Sequence, residues 1–566
     1  MARTMEIAQR CQVALTLTET HFPKFALPPG ARDSIALLRH IVYEGAEARY
    51  PRVDADVRNR LEHELDIIVQ LGYVDYFLVV WDIVRYARSK SIRCAGRGSA
   101  ADSAVAYCLY ITDVDAAARG LLFERFMSLE RAELPDIDID FASDRRDEVM
   151  AYVYEKYGRD KVARVATYQT FRGRSAVREI GAALALPTPL LDTLAKRVPW
   201  SAHADEDVGL VKLDLLSLRT MSAIENTVRL SRGAIDYDNI PLDDEATFAM
   251  IRRGETMGVF QLESPAQRAL QSRLHATGLE DIVASVALIR PGPIQGNMVD
   301  PFIARRHGNE QITYLHPKLE PILGKTYGVV LFQEQVIATA IAAFTPGEAD
   351  ELRRVMSHAR NHTEMEQIGR KFMYKAEQNG VTPEVASIIF SYIQSYASYG
   401  FCEAHAEAFA TTAYKTAYLV KHYPAQFYAS VLNQYPMGYY PVHVVCAEAR
   451  RRGVSMLPVD INESEWSCTT PDDQSIRLGF RLMKRASAQM VVALVEERMK
   501  VGRFMGVADF LMRVPVADRL QVEHLIRVGA FDVLEGTDRR SLLWRVPGWL
   551  AMRETRDLPP TRADAC

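Results

Sequence analysis

Between Pro135 and Phe141 the chain reads Pro-Asp-Ile-Asp-Ile-Asp-Phe, a pattern that leaves few choices of local structure. On an extended strand successive side chains point to opposite faces. Asp136, Asp138 and Asp140 then share one face, and Ile137, Ile139 and Phe141 share the other. Carboxylates two residues apart on one face lie about 6.5–7 Å from each other and repel. A divalent cation relieves that repulsion, and hard oxygen ligands suit Mg²⁺. The same pattern is equally that of an amphipathic edge strand with a solvated acidic face, and from these residues alone both readings stand.

A second segment narrows the choice. Leu210-Val-Lys-Leu-Asp-Leu-Leu216 puts one carboxylate, Asp214, in an apolar run, with Lys212 two residues earlier on the same face. A lone aspartate in a buried strand is costly unless it is paired or binds a metal. A structural Lys212–Asp214 pair is the plainer alternative. Third, Gly96-Arg-Gly-Ser99 stands before an Ala-rich helical stretch that runs to about residue 109. Backbone N–H groups at a helix start form an anion site, and Ser99 could donate to a phosphate. A tight turn with an N-cap explains the same residues.

The length of 566 residues suits several domains, and a net charge of −4 excludes polyanion binding by bulk charge. Basic residues would have to be concentrated locally. They are so in 156–178, where Lys156, Arg159, Lys161, Arg164, Arg172, Arg174 and Arg178 face one acid, Asp160, with Tyr168 and Phe171 interleaved. Such a patch can follow a phosphate backbone without reading sequence, although a solvated helix face has the same composition. The seven cysteines form no C-x-x-C pair, which argues against a zinc ribbon or a disulfide framework and for a reducing cytoplasm. No signal peptide or membrane span is read, and no membrane partner is expected.

The spacing of Leu61, Leu65, Ile68, Leu71, Phe77, Val80 and Ile83 predicts helix over 53–90. Strands are expected at about 134–141 and 210–216, split by a basic helical insert over 147–199. Long helices follow beyond 241, a last helical block covers 478–533, and 556–566 reads as a polar tail. The fold class is multidomain α/β plus α. Gly324-Lys-Thr326 only imitates a phosphate-binding loop, and His358 with His362 lacks the glutamate of a zincin helix.

Taken in order, further segments accompany these. They are Leu71-Gly-Tyr73, Tyr76-Phe-Leu-Val-Val80, Leu122-Phe-Glu-Arg-Phe126, Tyr157-Gly-Arg-Asp160, Val259-Phe-Gln-Leu-Glu-Ser264, Arg290-Pro-Gly-Pro293, Phe332-Gln-Glu-Gln335, Leu352-Arg-Arg354 and Tyr399-Gly-Phe401 with His405. Together they resemble, almost end to end, the C family of bacterial DNA polymerases, the polymerase III alpha subunits. Pro293-Ile-Gln-Gly296, Phe344-Thr-Pro-Gly-Glu-Ala-Asp350, Asn433-Gln-Tyr-Pro-Met-Gly-Tyr439 and Pro458-Val-Asp-Ile-Asn462 lean toward its error-prone, translesion branch.

The resemblance implies a nucleotidyltransferase-like (polymerase beta-like) palm with a helical thumb insert, large helical fingers and a helix-hairpin-helix region. The expected divisions are palm at 1–145 and 206–235, thumb at 146–205, fingers at 236–435, helix-hairpin-helix region at 436–545 and a tail at 546–566. By the same resemblance Asp136, Asp138 and Asp214 would be the catalytic, metal-binding residues holding two Mg²⁺ ions, with Asp140 supporting. Gly98 and Ser99 would hold the incoming triphosphate, and Arg125, Arg131, Lys212, Arg353 and Arg354 would supply positive charge around it. The implied partners are primer-template DNA, deoxynucleoside triphosphates and other replication or damage-response proteins, and the implied setting is the bacterial cytoplasm.

Against the family pattern, no stretch reads as the phosphoesterase-like domain that usually precedes this core, or as the region that follows it. Lys484-Arg-Ala-Ser487 stands where a glycine-containing hairpin turn is usual, which weakens a backbone phosphate grip. Ala404 replaces the serine usual before His405. An inactive or truncated paralogue that binds primer-template DNA as an accessory is therefore the alternative to an active polymerase. A nuclease on the same carboxylates would have no need of the triphosphate turn.

Overall fold

The computed structural model describes residues 24–127, 129, 136–164, 214–290, 298–335, 362–397, 401–438 and 440–555. Two units are distinguished, one of Met1–Phe25 with Glu148–Lys212 and one of Ala26–Asp147 with Leu213–Cys566.

In the larger unit three helices come first: α1 (Ser34–Arg49), α2 (Ala55–Gln70) and α3 (Val74–Ser89). Asp33 and Asp54 start α1 and α2 by accepting N–H bonds from Ala36 and Val57, which satisfies donors a first turn leaves orphaned. The helical pattern expected over 53–90 is formed by two helices, bent by 115° between them. Gly72, at φ +77° just after α2, adopts a conformation no continuing helix allows. The apolar spacing on either side is helical, so periodicity alone hides the break.

Strand β1 (Cys94–Arg97) follows, then a 3₁₀ turn (Gly98–Asp102) and a short helix α4 (Ala104–Cys108). Strand β2 (Asp138–Ala142) pairs antiparallel with β1 and parallel with β3 (Asp214–Leu218), giving the sheet order β1-β2-β3. Ile137, Ile139 and Phe141 are all fully buried, as the alternation requires. Two expectations need correction. Residues 94–97 form a strand, although Gly96 made them read as a turn. A side chain at Gly96 would meet the Ile111 carbonyl at 2.5 Å, so the glycine marks close backbone approach and not a bend. Asp214, the first described residue of β3, is half-buried and not fully buried as its apolar neighbours suggested.

Helix α5 (Arg146–Tyr157) leads into the smaller unit, where Lys156, Arg159, Lys161 and Arg164 are exposed. There Lys156 lies 5.7 Å from the Phe25 ring centroid and donates to the Tyr152 hydroxyl at 3.0 Å. In the larger unit α6 (Arg219–Leu230) follows β3 directly and packs on β2, and α7 (Leu279–Leu288) packs along α8 (Glu403–His422). Next comes α9 (Pro424–Asn433), packed on α6.

The C-terminal region pairs strands β4 (Ser455–Leu457) and β5 (Ser475–Arg477). It then runs through α10 (Ala488–Val501), α11 (Val507–Arg513), α12 (Arg519–Val528) and α13 (Arg539–Thr555). Phe480, Leu494, Phe504, Phe510, Leu525 and Phe531 form a separate core there. Among the described residues no single helix is long and apolar enough to cross a membrane.

Candidate metal centre and nucleotide turn

The sheet register brings the acidic residues together. Asp138 stands opposite Asp214 across the parallel pair and opposite Arg97 across the antiparallel one. Asp136 precedes β2, where the Tyr76 hydroxyl accepts from the Ile137 N–H at 3.3 Å. One carboxylate oxygen from each of Asp136, Asp138 and Asp214 lies within 4.8 Å of the other two. Burial, the Asp136 charge and an Asp214 carboxyl close enough to share a proton push the Asp138 carboxyl up to about 6. Its Oδ1 is buried without a hydrogen-bond partner. An all-oxygen donor set with one orphaned, buried oxygen fits a hard divalent cation such as Mg²⁺.

Arg97 is the counter-charge that sequence reasoning missed. Its Nη2 lies 4.0 Å from Asp138 Oδ2 and its Nε 3.4 Å from Asp140 Oδ2. Asp140 is thereby covered and buried, away from the three-carboxylate group. The signal was present, since an arginine between two glycines on a neighbouring strand must face the acidic side or the core.

Gly98, at φ +71°, lies beside this cluster, and a Cβ there would sit 3.8 Å from Asp138 Oδ2. Ser99 is half-buried, and its hydroxyl has no protein partner among the described residues. The expected helix start is, however, already filled. Buried Glu64 accepts from the Ser103 hydroxyl at 2.8 Å and from the Ala104 and Val105 N–H groups at 3.1 and 3.0 Å. The positive end of α4 is thus neutralised from α2, and only the 3₁₀ turn remains for a phosphate. The Gly98 N–H itself is engaged, donating to His405 Nδ1 at 3.2 Å.

Arg125, expected at the triphosphate, lies at the Asp102 end of this turn and is engaged by acids. It is turned inward, with its Nε 2.8 Å from Glu334 and 3.8 Å from Asp102, and Nη2 donates to Gln333 Oε1 at 2.6 Å. Glu334 in turn accepts from the Glu403 N–H with both oxygens at 3.0 Å, capping α8. Asp102, Glu334 and Cys402 also bring ligand atoms within 4.8 Å of one another. Here the guanidinium already supplies the cation. Phe332-Gln-Glu-Gln335 is therefore a set of braces, with Gln335 accepting from Leu331 and Phe332. Arg131, Lys212, Arg353, Arg354, Arg172, Arg174 and Arg178 lie outside the described residues.

Comparison with known proteins agrees along the chain. Residues 36–210 match the bacterial DNA polymerase III alpha NTPase domain and 218–380 match the finger domain of the same subunit. Residues 453–542 match the helix-hairpin-helix motif. The chain belongs to the bacterial DNA polymerase III alpha family. It is 52% identical to an error-prone DNA polymerase of Symbiobacterium thermophilum, over 98% of this chain and 60% of that protein. It is 37% identical to error-prone DNA polymerase 3 of Agrobacterium fabrum, over 99% of this chain and 58% of that protein. For an error-prone DNA polymerase of Rhodopirellula baltica the figures are 35%, 100% and 56%. This polymerase III alpha chain thus spans about three fifths of the length of these curated relatives. Their names place them in the error-prone branch toward which Pro293-Ile-Gln-Gly296 leans.

Proposed function

We propose that this chain is the core of a DNA-templated DNA polymerase, adding deoxynucleotides to a primer 3′-hydroxyl during error-prone synthesis in repair or damage tolerance. The observation that carries the reading is the convergence of Asp136, Asp138 and Asp214 within 4.8 Å beside the Gly98–Asp102 turn. Asp136, Asp138 and Asp214 would hold two Mg²⁺ ions, which when bound lower the pKa of the attacking hydroxyl and offset charge on the leaving pyrophosphate.

The chain's own groups then orient and neutralise. Arg97 limits repulsion among the carboxylates on the face opposite Asp214. The Ser99 hydroxyl, which has no protein partner among the described residues, would donate to the triphosphate. Lys212, Arg131, Arg353 and Arg354 are the cations we assign to its remaining charge. Arg125 acts on the frame and not on the nucleotide. Palm (1–145 and 206–235), thumb (146–205), fingers (236–435) and helix-hairpin-helix (436–545) are the divisions that go with this reading. Lys156, Arg159, Lys161, Arg164, Arg172, Arg174 and Arg178 would follow the duplex backbone.

Single-nucleotide extension of a primed template with Mg²⁺ tests the reading. The wild-type chain should add a nucleotide, and Asp138→Asn should add none while keeping its affinity for primer-template DNA. Firm binding of primer-template without addition by the wild type would put a non-catalytic accessory role in its place.

A further inference from the structure

Both ends of the Gly98–Asp102 turn are tied to one helix, α8. The far end is held through Arg125, which links Asp102 to Glu334, the residue that caps α8. The near end is held by His405, in the first turn of α8, whose Nδ1 accepts the Gly98 N–H at 3.2 Å.

That bond fixes the state of the ring. A peptide N–H can only donate, so Nδ1 carries a lone pair and the proton is on Nε2. The surroundings favour the same neutral form. His405 packs against Phe409 with ring centroids 4.1 Å apart and the planes tilted by 47°, and meets Phe401 edge-on at 5.1 Å. Arg290 lies over the Phe401 ring, 4.1 Å from its centroid. Burial, with the charges of Arg97 and Arg290 facing the ring, holds the imidazole down to about 4. A ring that stays neutral across the working range of a polymerase is suited to accepting one hydrogen bond permanently, and unsuited to moving protons.

We propose that His405 is a positioning residue: through Nδ1 it fixes the Gly98 amide, so that the turn offers the Ser99 hydroxyl, and not the Gly98 N–H, to the incoming triphosphate. The proposal rests on the polymerase reading above. It differs from a direct nucleotide contact, in which His405 would act through Nε2–H.

Side-chain amides separate the two. In His405→Asn the amide oxygen takes the place of Nδ1. In His405→Gln the amide reaches the place of Nε2, and His405→Leu offers neither. Nucleotide KM and kcat in single-nucleotide extension, primer-template Kd and melting temperature are to be measured for each. In His405→Leu and His405→Gln, nucleotide KM should rise about tenfold, the worth of one lost amide hydrogen bond, with kcat nearly unchanged. His405→Asn should restore the wild-type KM to within about threefold. Rescue by Gln but not Asn, an unchanged KM in all three, or a loss in kcat alone would overturn the proposal. If the leucine variant fails to fold, the Asn and Gln pair decides alone. A wild-type chain that adds no nucleotide counts against the polymerase reading instead. The ring is then read from ¹⁵N-histidine spectra, where a protonated His405 Nδ1, assigned by its loss in His405→Asn, would refute the hydrogen bond.

Discussion

Asp138 and Asp214 face each other in register across the parallel strands β2 and β3, and Arg97 stands opposite Asp138 on β1. Without a cation this arrangement opposes folding. The Asp138 carboxyl is raised to about 6 from its ordinary 3.8. A group raised in the folded state contributes stability that is full below its ordinary value and is lost as pH rises through about 6. Metal-free protein should therefore melt at a lower temperature at pH 7.5 than at pH 5.5, and this part of the slope should vanish in Asp138→Asn. At pH 7.5 without metal the variant should be at least as stable as the wild type. Mg²⁺ should raise the melting temperature of the wild type only. Thermal melts in EDTA and in Mg²⁺ at the two pH values check this, and equal slopes in both proteins would refute it.

Arg97 holds the Asp138 carboxyl down, against the burial and the neighbouring acids that raise it. Arg97→Gln should then have opposite effects at two pH values. At pH 6.5 more Asp138 is protonated, so half-saturating Mg²⁺ for extension should rise. At pH 8 the site is fully ionised and more negative, so half-saturating Mg²⁺ should fall. A shift of the same sign at both values would mean that Arg97 acts through substrate and not through the carboxylates.

The Arg125–Glu334 pair is buried, with side chains 10% and 8% exposed. Removing one partner strands the other charge, at a cost of about 3–5 kcal/mol. Arg125→Ala should lose stability of that order in urea denaturation. Nucleotide KM, measured at a temperature where the variant is folded, should change little. A stable variant with a greatly raised KM would return Arg125 to the triphosphate.

Arg485 stands at φ +61° two residues before the Ser487 cap of α10. A side chain in that left-handed conformation costs about 1–2 kcal/mol, and glycine's extra freedom when unfolded takes back part of the gain. Arg485→Gly should stabilise the C-terminal region by roughly 0.5 kcal/mol, read from its urea midpoint. Destabilisation would show that the arginine side chain contributes more than its backbone costs.

Lys156, Arg159, Lys161 and Arg164 are exposed, as contacts to a phosphate backbone need to be. Extension should fall steeply between about 50 and 200 mM salt, and changing these four to Ala should flatten the slope of log Kd for DNA against log salt. An unaltered slope would place the DNA on other residues.

The carboxylate alternation was legible because a two-residue period leaves one outcome for Ile137, Ile139 and Phe141. Three things were not. The break at Gly72 leaves no trace in apolar spacing. The burial of Asp140 depends on Arg97 from another strand. The diversion of Arg125 depends on Glu334, more than two hundred residues away in sequence (334 − 125 = 209). Local pattern shows which face a residue takes, but not which distant charge it will meet. For that reason the closeness of Asp136, Asp138 and Asp214 could be expected from the pattern, while the place of Arg97 beside them could not.

Strands β2 and β3 are neighbours in space, but Asp214 follows Asp138 by 76 positions in the chain (214 − 138 = 76). Closing so long a loop costs chain entropy before any contact returns it, and parallel pairing of this kind comes late in folding. During synthesis, Asp136 and Asp138 leave the ribosome well before their third partner exists. A pair of carboxylates holds Mg²⁺ weakly, since this ion gives up its water reluctantly. An ion that needs all three carboxylates would therefore be held only once β3 has docked beside β2.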